Sequence, residues 1–286
     1  MDQKHKFCLY MPPVSTISTY KEMVDYAYAH GITKLETLNI LDLSVPDLEV
    51  AKELKAYADS KGITFPCVSV GLSLVDDDRV SAIETLKRYA DIAKILGSPY
   101  LHHTIALNFS EPQFIADHFD LFYHRGLEAV REIFDYAATL GIRTIYEDQG
   151  FLFNGRKTFT RFINEVDRNV GVVADFGNIQ FVDEDVEDFI PAFSDRIVHV
   201  HVKDYIVTPG GSRTPHPDEY TSLGGNYLKG CLVGTGSVNT GAAFAVLRAI
   251  GYQGALALEG GPTGPDEEDA FCKNLATINR YIDTYL

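Results

Sequence analysis

Four short apolar stretches in the second half of the chain carry side chains able to ligate a metal or move a proton. Thr144-Ile145-Tyr146-Glu147-Asp148-Gln149 brings Glu147, Val172-Val173-Ala174-Asp175-Phe176-Gly177-Asn178 brings Asp175, and Ala255-Leu256-Ala257-Leu258-Glu259-Gly260-Gly261 brings Glu259. Between the last two lies Ile197-Val198-His199-Val200-His201-Val202-Lys203-Asp204, which offers His199 and His201. It alternates, with Val198, Val200 and Val202 on one side and His199, His201 and Lys203 on the other, the period of a β-strand. If the valine side packs under helices, the histidine side lines an interior, where ionisable groups need partners or a metal. Three carboxylates and an imidazole brought together raise the carboxylates' pKa values by mutual repulsion, and a divalent cation resolves the conflict. Oxygen donors with one nitrogen suit manganese, magnesium or cobalt, and zinc fits as well.

The elements that must position these residues repeat one unit: a short apolar strand, a turn, an amphipathic helix and often a glycine. The strands are expected at Phe7 to Met11, Lys34 to Ile40, Ile63 to Gly71, Pro99 to Ala106, Arg143 to Gln149, Gly171 to Asn178, Ile197 to Tyr205 and Ala255 to Gly261. Gly31, Gly62, Gly97, Gly141 and Gly251 stand where helices should stop in the left-handed conformation. Alternating strand and helix predicts a parallel sheet with helices outside. Eight units in 286 residues predict an α/β fold of one (β/α)8 TIM barrel spanning residues 1–286. An open doubly wound sheet is the alternative, but no GxGxxG follows the first strand. In such a barrel the active site lies at the C-terminal ends of the strands, where the four stretches place their polar residues. The one irregular stretch, residues 206–237, is rich in Gly and Pro and is expected as a long loop on that rim.

Composition narrows the class. The chain is 45% hydrophobic and 23% charged, with a net charge of −15, an acidic balance that argues against a phosphate backbone as partner. No apolar run of membrane-spanning length occurs, and the charged Met1–Lys6 start is not followed by a signal-peptide core, so a cytoplasmic location is the expectation. Cys8, Cys67, Cys231 and Cys272 are scattered without a CxxC pair, the pattern of reduced thiols.

The sequence resembles the sugar isomerase/epimerase group of xylose-isomerase-like TIM barrels, which includes ketose 3-epimerases, hydroxypyruvate isomerases and inosose-processing enzymes. The resemblance runs over nearly all eight units. It is carried by Ala174-Asp175-Phe176-Gly177-Asn178, His199-Val200-His201-Val202-Lys203-Asp204, Gly234-Thr235-Gly236-Ser237-Val238-Asn239 (similar to the group's GxGxVD stretch), and Gly251-Tyr252-Gln253-Gly254 leading into Leu258-Glu259. It implies Glu147, Asp175, His201 and Glu259 as ligands of one divalent ion, manganese foremost, with Glu147 and Glu259 also the acid/base pair. A cation on a sugar's carbonyl and adjacent hydroxyl acidifies the neighbouring C–H, and a carboxylate can hold the cation through one oxygen and move a proton with the other. The expected activity is isomerisation or epimerisation of a ketose or keto-polyol. The chain departs from the group's epimerases at Lys203-Asp204, where Gly-Glu is common, and at Asn178, where histidine is frequent.

Those departures keep open a lyase on the same scaffold, an inosose-type dehydratase or an enzyme cleaving a C-glycoside of a 3-keto sugar. A DNA-repair endonuclease on this fold would carry more histidines at strand ends and a basic groove. A purely binding role would go with a protein that holds no metal. Further contacts to substrate are expected from Glu36, His102, Asn178, Lys203 and, in the long loop, Arg213, with His216 also within reach. His199 reads as a hydrogen-bonded interior histidine and His103 as facing the helices. Asp148 reads as a solvated loop residue, and Asp183 to Glu187 as an acidic helix start suited to the macrodipole. A homo-oligomer is compatible with such a barrel, but no interface can be read from the sequence.

Overall fold

A computed structural model describes residues 6–107, 112–211, 214–260 and 266–286. In chain order the strands are β1 (Phe7–Leu9), β2 (Val68–Val70), β3 (Tyr100–His103), β4 (Arg143–Tyr146), β5 (Gly171–Asp175), β6 (Ile197–Val202), β7 (Asp204–Thr208), β8 (Tyr220–Thr221), β9 (Tyr227–Cys231) and β10 (Leu256–Leu258). Seven of them form one parallel sheet in the order β1-β10-β6-β5-β4-β3-β2. The sheet closes through single parallel bridges, Leu9 to Leu35 and Thr37 to Val68, so the second predicted unit contributes only a few bridging residues. The result is an α/β TIM barrel with helices alternating around it.

The helices are α1 (Tyr20–Ala29), α2 (Leu48–Ser60), α3 (Arg79–Leu96), α4 (Pro112–Asp117), α5 (Phe119–Thr139), α6 (Arg156–Glu165), α7 (Val186–Ala192), α8 (Thr240–Ala249) and α9 (Glu267–Tyr285). Their ends follow local chemistry. Thr19 and Glu22 form a reciprocal capping box at α1, and Asp47 caps α2 by accepting from the Glu49 and Val50 amides. Gly97 ends α3 at φ 72°, a left-handed backbone that costs a side chain but not glycine, and the other four predicted stops also take positive φ. No helix among the described residues is long and apolar enough to cross a membrane.

Strand parity builds the interior in layers. Cys67, Ile145 and Val173 form an apolar floor, above which the same parity brings Ser69, His102 and His199, then Glu147, Asp175, His201 and Glu259. Val200 and Val202 pack into the helix-side core, as the alternation predicts, but Val198 does not. The β5–β6 register shifts between Val172 and Val173, and this bulge turns Val198 onto the floor with Ile145 and Val173.

His103 faces the helices, as expected. The Tyr146 hydroxyl lies 2.9 Å from its Nε2, and its Nδ1 lies 2.9 Å from the Thr104 carbonyl, so the neutral ring donates at Nδ1 and accepts at Nε2. Burial lowers its pKa to about 3. A depressed folded-state value contributes stability above the unfolded value of 6.5, lost as pH falls towards 3. Acid titration of His103→Leu is expected to show a shallower loss of stability across that window, by up to about 1.4 kcal/mol per pH unit; a slope equal to wild type would refute the assignment.

Within the segment expected as an irregular loop, three strands form a sheet of their own. β7 and β8 flank β9 in an antiparallel three-stranded sheet, and the predicted strand at Ile197 to Tyr205 divides at Lys203, where the chain leaves the barrel. Asp204 fixes this exit: its carboxylate accepts from the amides of Tyr205, Gly234, Gly236 and Val238 at 2.9–3.1 Å. Asp183 is more than a charged helix start. At φ 57° it accepts from Ser222 Oγ (2.6 Å), the Gly224 amide (2.6 Å) and Asn226 Nδ2 (2.7 Å), pinning the β8–β9 hairpin to the turn after β5. Asp183→Ala is expected to cost about 1–3 kcal/mol locally and to open residues 222–226 to limited proteolysis, while unchanged cleavage would contradict the tether.

Candidate active site

The imidazole of His201, on β6, is the centre of the cluster. Its Nδ1 lies 2.9 Å from Glu147 Oε2, 2.9 Å from Glu259 Oε2 and 3.9 Å from Asp175 Oδ2. The three carboxylates come from the ends of β4, β10 and β5, and all four ligating atoms lie within 4.8 Å of one another. His201 and Asp175 are neighbours in register, as are His201 and Ala257, two residues before Glu259. Asp175 is locked by its own turn: Oδ1 accepts from the amides of Gly177 (2.8 Å) and Asn178 (2.6 Å), which directs Oδ2 at the cluster.

Below the imidazole, Glu36 is fully buried and touches His201 Nε2 through Oε1 (3.2 Å) and His199 Nε2 through Oε2 (2.6 Å). Ser69 Oγ donates to Glu36 Oε1 (2.5 Å) and lies 2.9 Å from His102 Nδ1. Tyr10 stacks on the His201 ring at 5.0 Å. Burial alone would raise the Glu36 pKa, but the charges and hydrogen bonds of His199 and His201 hold it well below the ordinary carboxylate value. A carboxylate on the far nitrogen of an imidazole fixes its tautomer and ring orientation.

Electrostatically the cluster calls for positive charge. Burial pushes Asp175 up to about 7, with Glu259 and Glu147 adding to the rise against Lys203. Burial would lower His201, yet Glu36 and Glu259 hold it well above an ordinary histidine. Lys203 Nζ sits 3.0 Å from Glu259 Oε1 and 3.1 Å from Asp175 Oδ2, and these carboxylates raise its pKa despite burial. Burial also works against Glu259, but Lys203 and His201 outweigh it and keep that carboxyl ionised.

The donor set fits a divalent cation. One imidazole nitrogen carries at most one hydrogen, so it cannot serve two carboxylate oxygens at 2.9 Å and a third nearby, and Glu259 Oε2 has no well-formed hydrogen bond. Three carboxylate oxygens and one imidazole nitrogen suit manganese, magnesium, cobalt or zinc.

The remaining residues sort differently. Glu36, expected near a substrate, is enclosed beneath the imidazoles instead. His102 is buried, with Nε2 unpartnered and 3.7 Å from Glu147 Oε1. Asn178 and Lys203 line a cavity of about 200 Å3 beside Glu259, together with Gln149, Phe181, Tyr205 and Tyr220. Arg213 lies outside the described residues, and His216 is exposed and pairs with Asp218. Asp148 is no solvated loop residue: it is fully buried, and burial followed by Asp175 and Glu147 raises its pKa well above the ordinary value. Tyr10, Ser69 and Gln149 were not singled out from sequence. Ser69 shared the inward parity of its strand with Cys67, which was the available signal; Tyr10 and Gln149 offered none beyond a place at a strand end.

Residues 24–280 match the family described as xylose isomerase-like TIM barrel. The chain belongs to that family. By sequence, no curated protein matches it. Solved structures share the fold at low identity. The IolI protein with a bound zinc atom aligns with a TM-score of 0.76 at 18% identity, over 98% of this chain and 99% of that one. A D-psicose 3-epimerase with D-tagatose from Clostridium cellulolyticum H10 aligns at 0.71 and 19%, over 97% and 99%. A xylose isomerase-like TIM barrel protein from Mycobacterium smegmatis in complex with magnesium aligns at 0.70 and 17%, over 93% and 89%.

Proposed function

We propose that the protein is a divalent-metal-dependent sugar isomerase or epimerase that transfers a proton by a carboxylate next to the carbonyl of a ketose or keto-polyol. The observation that carries this reading is the convergence of Glu147, Asp175 and Glu259 on one nitrogen of His201. Glu147, Asp175, His201 and Glu259 would hold the cation, manganese first and magnesium, cobalt or zinc as alternatives. A cation there would polarise a bound carbonyl and its neighbouring hydroxyl. The solved neighbours holding zinc, magnesium and D-tagatose on this fold support the reading.

The chain's own groups then divide the work. Glu259 borders the cavity and moves a proton to or from the carbon beside the carbonyl, while Glu147, almost wholly enclosed, does so from the other face. Two such carboxylates give epimerisation; one gives an aldose–ketose shift. Glu36 keeps Nδ1 of His201 directed at the carboxylates, and Asn178 and Gln149 supply amide groups for sugar hydroxyls. The acidic net charge speaks against a nucleic-acid substrate.

Lys203 favours a second reading. An ammonium beside Glu259 that lines the cavity is placed to offset the negative charge of a departing oxygen, which would turn the same proton abstraction into a β-elimination, the lyase chemistry, with solvent water protonating the leaving group. Incubating the manganese-loaded protein with a ketose panel in deuterated water separates the outcomes. A product bearing deuterium at the carbon next to the carbonyl, with its substituents retained, supports isomerase or epimerase activity. Loss of water or of a substituent supports the lyase. No exchange with any ketose or keto-polyol contradicts both.

A further inference from the structure

Away from the barrel mouth, a second group of ligating side chains joins the first helix to the last. His30, at the C-terminal end of α1, faces Glu268 and Cys272, which stand one turn apart on α9. One donor atom from each of the three lies within 4.8 Å of the other two. His30 Nε2 is 3.1 Å from Glu268 Oε1, and Cys272 Sγ is 3.8 Å from the same oxygen. Tetrahedral zinc, with bonds of about 2.0–2.1 Å to nitrogen and oxygen and about 2.3 Å to sulfur, spaces such donors roughly 3.3–3.6 Å apart. The two separations bracket that spacing.

The ligands are held from behind. Nδ1 of His30 lies 2.9 Å from the Tyr26 carbonyl, which can only accept, so the neutral ring carries its hydrogen there and turns the Nε2 lone pair on Glu268. Tyr26 stacks on the imidazole at 4.2 Å and Phe271 meets it edge-on at 5.6 Å, which fixes the ring plane. The Tyr26 hydroxyl donates to Glu268 Oε2 at 2.7 Å and leaves Oε1 for the cluster. A carbonyl behind an imidazole and a hydroxyl behind a carboxylate are the partners that orient metal ligands.

Nε2 and Oε1 therefore face each other as two acceptors, a conflict removed by a second proton on the ring or by a cation between them. Cys272 favours the cation. An ion pair needs no thiol at a third corner, whereas sulfur, imidazole and carboxylate together are a zinc donor set. Burial, then Glu268, raises the thiol above its ordinary pKa, so the thiolate forms only as a cation displaces its proton.

We propose that His30, Glu268 and Cys272 form a zinc site, its fourth position open to water. It fastens α1 to α9 across the seam where β1 pairs with β10 and the first and last units of the barrel meet. It shares no residue with the cluster around His201 and does not depend on the sugar reading.

Cobalt(II) in place of zinc reads this site selectively, because the cluster around His201 has no sulfur ligand. Wild type and Asp175→Asn are titrated with cobalt(II) while the thiolate-to-cobalt charge-transfer band is followed. Both are expected to show the band, saturating at about one equivalent in Asp175→Asn, and zinc should abolish it by displacement. Cys272→Ser should lack the band, and Tyr26→Phe should keep it with about ten- to a hundredfold weaker affinity. Cys272 is exposed, so serine there leaves a folded protein to measure. Zinc should also slow alkylation of Cys272 by N-ethylmaleimide, mapped by mass spectrometry, and raise the unfolding temperature of wild type more than that of Cys272→Ser. No band at millimolar cobalt, a band that survives Cys272→Ser, or alkylation unchanged by zinc would overturn the site and leave a histidine–glutamate ion pair. If the band is missing while manganese binds at the barrel mouth, only this inference falls; a band without manganese binding leaves this site standing and counts against the sugar reading alone.

Discussion

Glu259→Gln is expected to lower turnover of the exchanging ketose by about a hundred- to ten-thousand-fold, the range for removing a positioned acid or base. The Glu259 carboxylate has two tasks that the structure assigns to different oxygens. Oε2 faces His201 Nδ1 within the cluster, and Oε1 faces Lys203 at the cavity wall. Glutamine keeps the shape and one oxygen but cannot accept a proton, so kcat should fall far more than KM rises. Deuterium incorporation from solvent should fall in parallel. Because Glu259 sits at the rim, with its side chain 22% exposed, the variant should unfold near the wild-type temperature. Glu147→Gln should lose epimerisation comparably, and its side chain, only 2% exposed, makes a stability cost expected there. Retention of full exchange in either variant would remove that residue from proton transfer.

Glu36→Gln is expected to weaken metal binding by about ten- to a hundredfold, although Glu36 lies on the far side of His201 from the proposed cation. Glu36 satisfies His199, His201 and Ser69 at once. An amide can accept on one side only, so one imidazole would face an N–H instead of a carboxylate, and the orientation of His201 would loosen. Glu36→Ala is expected to destabilise the fold by about 3–5 kcal/mol, the cost of leaving buried charged partners unmatched. Calorimetric metal titration and thermal denaturation read the two effects separately. Unchanged affinity in Glu36→Gln would mean that the imidazole is held by Tyr10 and the strand alone.

How far the sequence carried these conclusions depends on the residue. The eight units and the inward side of β6 were legible because strand parity is local: Val200 and Val202 had to face the helices once His199 and His201 faced in. The cluster was legible because each strand end supplied one candidate. Val198 was not, because a bulge in the β5–β6 pairing is a property of two strands and leaves no mark in one. The second unit kept its place but made only bridges, since ladder formation depends on neighbours as much as on its own residues. Burial was the least legible property. Asp148 beside Glu147, and Glu36 beneath two imidazoles, are enclosed by chain far away in sequence. The sheet of β7, β8 and β9 was also hidden, because Asp183 and the Asp204 carboxylate fix it through partners distant in sequence.

Elemental analysis of the purified protein beside Asp175→Asn reads the metal site itself. Asp175 makes no contact that loss of one anionic oxygen would break in the turn, since Oδ1 alone accepts the Gly177 and Asn178 amides. About one equivalent of manganese, magnesium, cobalt or zinc is expected in the wild type, with a substantial loss in the variant. Absence of metal from the wild type after reconstitution with each of the four would contradict it.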